Sequence, residues 1–445
     1  MSLTEASLKL ESDMPAAGSE ESPMKGAGIT VALLTLLYAV SYVDRSILAL
    51  LALPVSQSLA LDDRQLALLL GVGFALFYAV GGLVLAHFVD TRNRRIVVTA
   101  GVVVWSLSTI LSGFANGFWM MLILRSGVAL GEAVLTPAAI SLIADLYPRH
   151  RRGMPVAIFS SVAGVMAIGS YAVGAAAMDL AARMSGYTGL DAWRMTFIFV
   201  GLPGLLLAAI FVLIATVPTR REDRNVPVAD ADIRVVFTYL RARFGFFGPL
   251  LSLTGLNSLY SLAIIAWLPA LLAREQGLSP SSAGYLIGLV GVPAGLVGNF
   301  FWQWIATRKQ LADPTGGIVR TFRLPALVAA PAFAAGLMMD SLVPLLCGFG
   351  VGMFFSTAFS VVSPLSIQLF GPPQMRGRVS SIYLLIVAVL GYGLAPLAAV
   401  ELGAAVAGEG HGLREGLVIL SLLVWPVLIW MSFRVAGKTH LVQIQ

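Results

Sequence analysis

Four ionisable side chains stand inside stretches of sequence that are otherwise apolar: Asp44 and Arg45 in one, Arg125 and Glu132 in another. An ionised group at the centre of a hydrocarbon layer costs at least about 2.5–3.5 kcal/mol, so such residues face a cavity and keep partners. Arg125 and Glu132 are seven residues apart, nearly two helical turns, which puts them on one face about 10 Å apart along the axis. Near mid-membrane the Glu132 carboxyl is pulled two ways. Loss of water favours the neutral acid, and a neighbouring guanidinium favours the carboxylate. A conformational change that rebalances these effects loads and unloads a proton. The competing reading is a static ion-pair network that fixes helix packing, yet buried pairs stabilise poorly compared with apolar packing. Glu132 and Asp44 are therefore the candidate proton-coupling residues. Arg45 and Arg125 are the candidate cations for a substrate, with Arg45 also placed to partner Glu132.

The elements that carry these groups follow from composition. Of 445 residues, 58% are hydrophobic and 12% charged, and mean hydropathy is +0.86. A soluble domain carries about a quarter charged residues, so the solvent for most of this surface is lipid. A helix needs about 20 apolar residues to cross about 30 Å of hydrocarbon, and about twelve such runs occur: 29–53, 66–89, 96–114, 119–146, 154–178, 194–217, 249–272, 282–306, 322–340, 342–369, 379–403 and 414–436. The runs are continuously apolar and do not alternate as barrel strands do. The expected fold is an all-α membrane protein of twelve transmembrane helices in two six-helix bundles.

Lys and Arg test that count, because cytoplasmic loops collect them. With the N-terminus inside, 22 of the 29 fall on that side, five on the other (Arg64, Arg183, Arg194, Arg274 and Arg414), and two, Arg45 and Arg125, within spans. Both termini are thus expected in the cytoplasm, and the net charge of +6 reads as a topology signal rather than as a nucleic-acid surface. On this topology Asp44 lies about 13 Å and Arg125 about 9 Å below the outer ends of their helices, so they can meet.

The chain divides into an acidic tail expected to be disordered (1–28), a first bundle (29–217), a polar linker (218–248), a second bundle (249–436) and a short tail (437–445). In the linker Ile233, Val236, Phe237 and Leu240 fall at helical spacing beside Arg234, Arg241 and Arg243, as in a basic amphipathic helix on the inner membrane face; an ordinary solvated linker is the alternative. The halves echo each other: Arg152-Gly153 leads to Ile158-Phe159, and Arg376-Gly377 leads to Ile382-Tyr383, 224 residues later. Duplicated halves suit a carrier whose site lies between them. The single cysteine, Cys347, sits in apolar sequence and reads as inert packing.

Several strings resemble a known family. Asp90-Thr91-Arg92-Asn93-Arg94-Arg95 resembles the Asp-Arg-x-Gly-Arg-Arg loop of the major facilitator superfamily, matching at Asp90, Arg94 and Arg95 and departing at Thr91 and Asn93. The resemblance implies a cytoplasmic latch between the halves, with Asp145 as partner for Arg94 or Arg95. Tyr42-Val43-Asp44-Arg45, Arg125-x-x-x-Ala129-x-Gly131-Glu132-Ala133, Ala144-Asp145-Leu146-Tyr147 and Trp193-Arg194 resemble spinster-type transporters of bacterial origin. That resemblance is clear over the first six spans and general over the rest. It implies a proton-coupled carrier of lysophospholipid-like or sphingosine-1-phosphate-like amphiphiles in the inner membrane. Organic-anion symporters share parts of the Arg-x(6)-Glu helix, so a carrier of small organic anions or drugs is the alternative. The fifth span offers Gly164, Gly169 and Gly174 without a following proline, which departs from the Gly-Pro signature of many drug–proton antiporters.

The second half offers no central charge. It offers Asn257, Tyr260, Trp267, Asn299, Phe354, Phe355 and Phe359. A charged headgroup against Arg45 or Arg125 and a tail against an aromatic and aliphatic wall is the arrangement this predicts, with Asn257, Tyr260, Phe354 and Phe355 as substrate contacts. Nothing suggests an enzyme. Only four histidines occur, and no metal-ligand spacing, Gly-x-Ser-x-Gly elbow or phosphate loop accompanies them. The expected partners are an amphipathic substrate, membrane lipids and protons, with no other cofactor, no metal and no nucleic acid, and the protein is expected to be a monomer.

Overall fold

The computed structural model describes residues 22–218, 233–372, 375–408 and 411–442; the acidic tail through residue 21 and linker residues 219–232 lie outside the described residues. Within them the chain is helical and holds no strand. Eleven helices are long and apolar enough to cross a membrane. The twelfth crossing is built from the 3-10 turn Val319–Phe322 running into the helix Arg323–Leu337. Four residues rising about 2.0 Å each and fifteen rising about 1.5 Å reach roughly 30 Å, the thickness of the hydrocarbon. The protein is an all-α membrane protein of twelve spans.

The first half runs Ala27–Leu50, then a second span in two pieces, Asp63–Leu70 and Val72–Thr91, then Arg94–Ser112, a fourth span also in two pieces, Phe118–Glu132 and Leu135–Leu146, then Gly153–Thr188 and Ala192–Ile214. The second half runs Phe244–Glu275, Pro280–Ala312, the composite ninth span, Leu342–Phe370, Arg376–Ala407 and Leu413–Gly437. Met24 N donates to Leu146 O and Thr216 Oγ1 to Lys25 O, each at 3.0 Å, while Leu441 packs beside Gly245. Both described ends of the chain therefore share one face, called here the terminal face; the opposite one is the far face. One core cluster lies wholly in the first half, and a larger one runs through the second and crosses into the first at Ile47, Leu50 and Tyr171.

Two features of the fourth span set its functional end. Pro137 lacks an N–H and its ring clashes with the carbonyl four residues back, that of Ala133. The helix breaks there, directly after Glu132. One residue earlier, a Cβ on Gly131 would stand 2.5 Å from the Gly101 oxygen and 2.7 Å from the Trp105 nitrogen. Only glycine lets the third and fourth spans cross this closely, and the crossing holds Glu132 in the bundle interior.

At the far face the halves are tied together. Asp62 and Gln65 form a capping box that opens the second span and places Asp63 and Arg64 in its first turn. Asp63 receives both Arg274 nitrogens of the seventh span, at 2.5 and 2.8 Å. Arg64 reaches Glu401 of the eleventh at 2.8 and 2.9 Å. Tyr285 donates to Asp179 at 2.9 Å.

The linker does form a helix, Ile233–Ala242. Val236 and Leu240 dock into the bundle, but Phe237 and its neighbour Val235 stay exposed. Cys347 is exposed as well, on the outer side of the tenth span, and is not packing material.

Candidate transport site

Neighbours on a helix point about 100° apart, so Asp44 and Arg45 cannot serve the same surface. Arg45 turns inward. Its Nε donates to Glu132 Oε2 at 2.5 Å, and the Glu132 side chain has no exposure. The guanidinium lies 4.8 Å from the ring centre of Tyr78, 5.3 Å from Tyr42 and 5.5 Å from Phe74, a cation held in an aromatic cage. Asp44 turns the other way, toward Thr109 of the third span, and is completely buried. The Thr109 hydroxyl is the one side-chain hydrogen-bonding group facing its carboxylate among the described residues, and Glu132 Oε1 has no partner among them.

Arg125 reaches the level of Asp44 but does not pair with its carboxylate. Its Nη1 donates to the Asp44 main-chain oxygen at 2.8 Å and its Nη2 to that of Arg45 at 3.3 Å, while Nε has no partner among the described residues. The side-chain pair suggested by depth alone is thus replaced by main-chain contacts, because the helical rotation that aims Arg45 at Glu132 carries the Asp44 carboxyl away.

Arg45 and Arg125 open onto a cavity of about 490 Å³ between the halves. The first half contributes these two cations with Tyr42, Phe74, Ile168 and Tyr171. The second contributes Asn257, Ser258, Ser261, Asn299, Ser356, Thr357 and Ser360, with Leu262, Ile265, Met353, Val387 and Tyr392. The second wall is uncharged, but it is richer in amides and hydroxyls than an aromatic wall would be. Tyr260 stands one layer behind, fully buried, donating to Asn257 Oδ1 at 2.9 Å and lying 3.2 Å from Ser356 Oγ. Phe354 and Phe355 do not line the cavity. Their rings lie 5.8 and 5.5 Å from that of Trp302, whose Nε1 donates to Phe354 O at 2.8 Å. Met353, Ser356 and Thr357 occupy the inward face of this helix, which turns the two phenylalanines onto the eighth span. Trp267, likewise buried, donates to Pro396 O at 3.0 Å.

At the terminal face Arg94 forms an ion pair with Asp145 and donates to Ser141 Oγ at 3.0 Å and Pro218 O at 3.1 Å. Arg95 donates to Val212 O at 3.2 Å and Ala215 O at 2.7 Å. These described contacts clamp the ends of the third, fourth and sixth spans within the first half. The Asp90 side chain lies outside the described residues.

The sequence reading missed Tyr171, whose hydroxyl donates across the halves to Ile265 O at 3.0 Å, the serines of the seventh span, and Tyr392. A serine or tyrosine in an apolar span carries no mark of which way it faces.

Two six-span halves enclosing a polar cavity with buried charges at its wall define a membrane transporter rather than an enzyme. The Major Facilitator Superfamily model matches residues 34–396, and the chain belongs to that family. It is 27% identical over 367 residues to an MFS-type efflux pump of Mycolicibacterium smegmatis, covering 82% of each chain. It is 27% identical over 300 residues to the probable L-galactonate transporter of Escherichia coli, covering 62% of each. With human protein spinster homolog 1 the identity is 27% over 312 residues, 66% of this chain and 57% of that one. Among solved structures, the inward-facing, unoccupied bacterial homologue of the human lysosomal transporter spinster superposes with a TM-score of 0.79 at 24% identity, covering 96% of this chain and 98% of the other. The spinster-type resemblance is borne out.

Proposed function

We propose that this protein is a proton-coupled secondary carrier that moves an anionic amphiphile by alternating access. The observation that carries this reading is Arg125: a buried guanidinium at the cavity wall whose hydrogen bonds go to neutral carbonyls, so that its charge remains for a ligand. Protonation of Glu132 removes the charge that holds Arg45, and the freed cation can then engage the same anion. Asp44, fully buried against Thr109, is the second proton-binding group. The apolar side chains between the polar groups receive the tail. The excess of Lys and Arg on the terminal face supports a cytoplasmic location for that face in a bacterial inner membrane, with the ion pairs at the far face on the outer side. The working unit is a monomer.

The second wall supports another substrate for the same machine. Seven amide and hydroxyl side chains facing two arginines suit a small hydroxylated organic acid, and the likeness to an L-galactonate transporter points the same way. Uptake into proteoliposomes across an imposed pH gradient, with lysophospholipids, sphingosine-1-phosphate and galactonate compared, separates the two. Gradient-driven movement of the lipids, abolished in Glu132→Gln, is the expected result. Movement of galactonate alone selects the second reading, and full gradient-driven transport by Glu132→Gln refutes the coupling assignment.

A further inference from the structure

The eleventh span is not a regular helix. Between the α-helical pieces Arg376–Ile386 and Ala395–Ala407 it runs as a π-helix over Val387–Leu394. π-Turns are rare, and they concentrate where a side chain must be aimed at a functional site. Here the π-segment supplies Val387, Gly391 and Tyr392 to the cavity. It also presses on the other half. The second span breaks at Gly71, where a Cβ would collide with the Gly393 oxygen and lie 3.2 Å from that of Tyr392, and a Cβ on Gly393 would lie 3.5 Å from that of Ala75. On its other side Gly391 leaves no room for a Cβ against Leu262 and Ser258 of the seventh span.

Held this way, Tyr392 stands at the boundary between the halves and is 41% exposed in the cavity. Arg45, Tyr42 and Tyr171 of the first half line the same cavity as Tyr392. The remaining ionisable groups around this point are Tyr38, Asp44, Tyr78, Arg125 and Glu132 from the first half and Tyr383 from the eleventh span. Of the groups around Arg45, Tyr42, Phe74, Tyr78 and Glu132 belong to the same half as Arg45, whereas Tyr392 belongs to the other.

We infer that Tyr392 is the positioning residue through which the second half senses whether Arg45 is paired with Glu132 or released. With Glu132 ionised, Arg45 is engaged inside the first half. With Glu132 neutral, the guanidinium turns to the nearby phenol oxygens, and its interaction with Tyr392 is the one that changes the energy of the contact between halves. Relaxation of the π-segment to α-helix would rotate Tyr392 out of the cavity and cut this link. The inference rests on the proton-coupling reading above.

The test needs no substrate. In a Cys347→Ser background, spin labels at Gln57→Cys and Ser341→Cys, on far-face segments of opposite halves, report the distance between the halves in nanodiscs at acidic and neutral pH. The background is expected to shift its distance distribution with pH, Glu132→Gln to abolish the shift, and Tyr392→Phe to at least halve it while keeping the background melting temperature. An unaltered shift in Tyr392→Phe, with Glu132→Gln still abolishing it, overturns the role of Tyr392 alone. Absence of any shift in the background overturns the coupling reading and this inference together. Because phenylalanine keeps the ring packing, a change confined to the pH response separates sensing from a structural role.

Discussion

Arg45 and Glu132 form one ion pair in the first half, Nε to Oε2 at 2.5 Å, although 87 residues separate them. The pair makes the charge of Glu132 a condition for where Arg45 points. On the proposed coupling, acidification neutralises Glu132 and frees Arg45. Glu132→Gln keeps the shape and fixes the uncharged state, so gradient-driven uptake is expected to fall to background while exchange at equal pH persists. Parallel uptake and exchange assays in proteoliposomes check this; loss of both would mean that Glu132 serves binding rather than coupling.

Asp44 is fully buried, and Thr109 is the one side-chain hydrogen-bonding group facing its carboxylate among the described residues. A wholly unsatisfied buried polar group costs about 1–3 kcal/mol; with Thr109 as its sole side-chain partner, Asp44→Val is expected to raise unfolding stability by less than that amount and to stop transport. Asp44→Asn should flatten the dependence of the conformational equilibrium on pH. Denaturation in detergent and the spin-label distances described above measure the two effects. A Val variant that is less stable would mean that the contact with Thr109 outweighs the cost of burying the carboxyl.

The far-face ties Asp63–Arg274 and Arg64–Glu401 join opposite halves. Exposed pairs contribute about 0.2–1 kcal/mol each. Removing both with Arg274→Ala and Glu401→Ala is therefore expected to shift the population toward the far-face-open state by roughly two- to thirty-fold. The same distance measurement reads it. A distribution unchanged by the double variant would show that these pairs do not hold that face shut.

Gly131→Ala forces a methyl against the Gly101 oxygen and the Trp105 nitrogen. Overpacking of this kind costs about 1–3 kcal/mol, and backbone cannot step aside as a flexible side chain can. A lower melting temperature with reduced pH-driven transport is expected, through displacement of the adjacent Glu132. An unchanged melting temperature would mean that the two spans have room to separate.

How much of this was legible beforehand depends on which physical quantity each feature reflects. Hydropathy and charge act locally, so the sequence alone determined the succession of long apolar runs, the uneven placement of Lys and Arg, and the four charges stranded at Asp44, Arg45, Arg125 and Glu132. Even there, the ninth crossing begins in a tight 3-10 turn at Val319–Phe322 that a count of apolar residues does not detect. Direction around a helix axis is another matter. Whether Arg125 meets a carboxylate or the Asp44 and Arg45 carbonyls, whether Phe354 faces the cavity or Trp302, and whether Asn257 and Ser261 line a polar wall all depend on how each helix is rotated against its neighbours. That rotation is fixed by close contacts such as Gly101 with Gly131 and Gly71 with Gly393, the latter between residues more than 300 positions apart. Only the assembled bundle decides it, because an apolar span reads the same from every side until another helix packs against it.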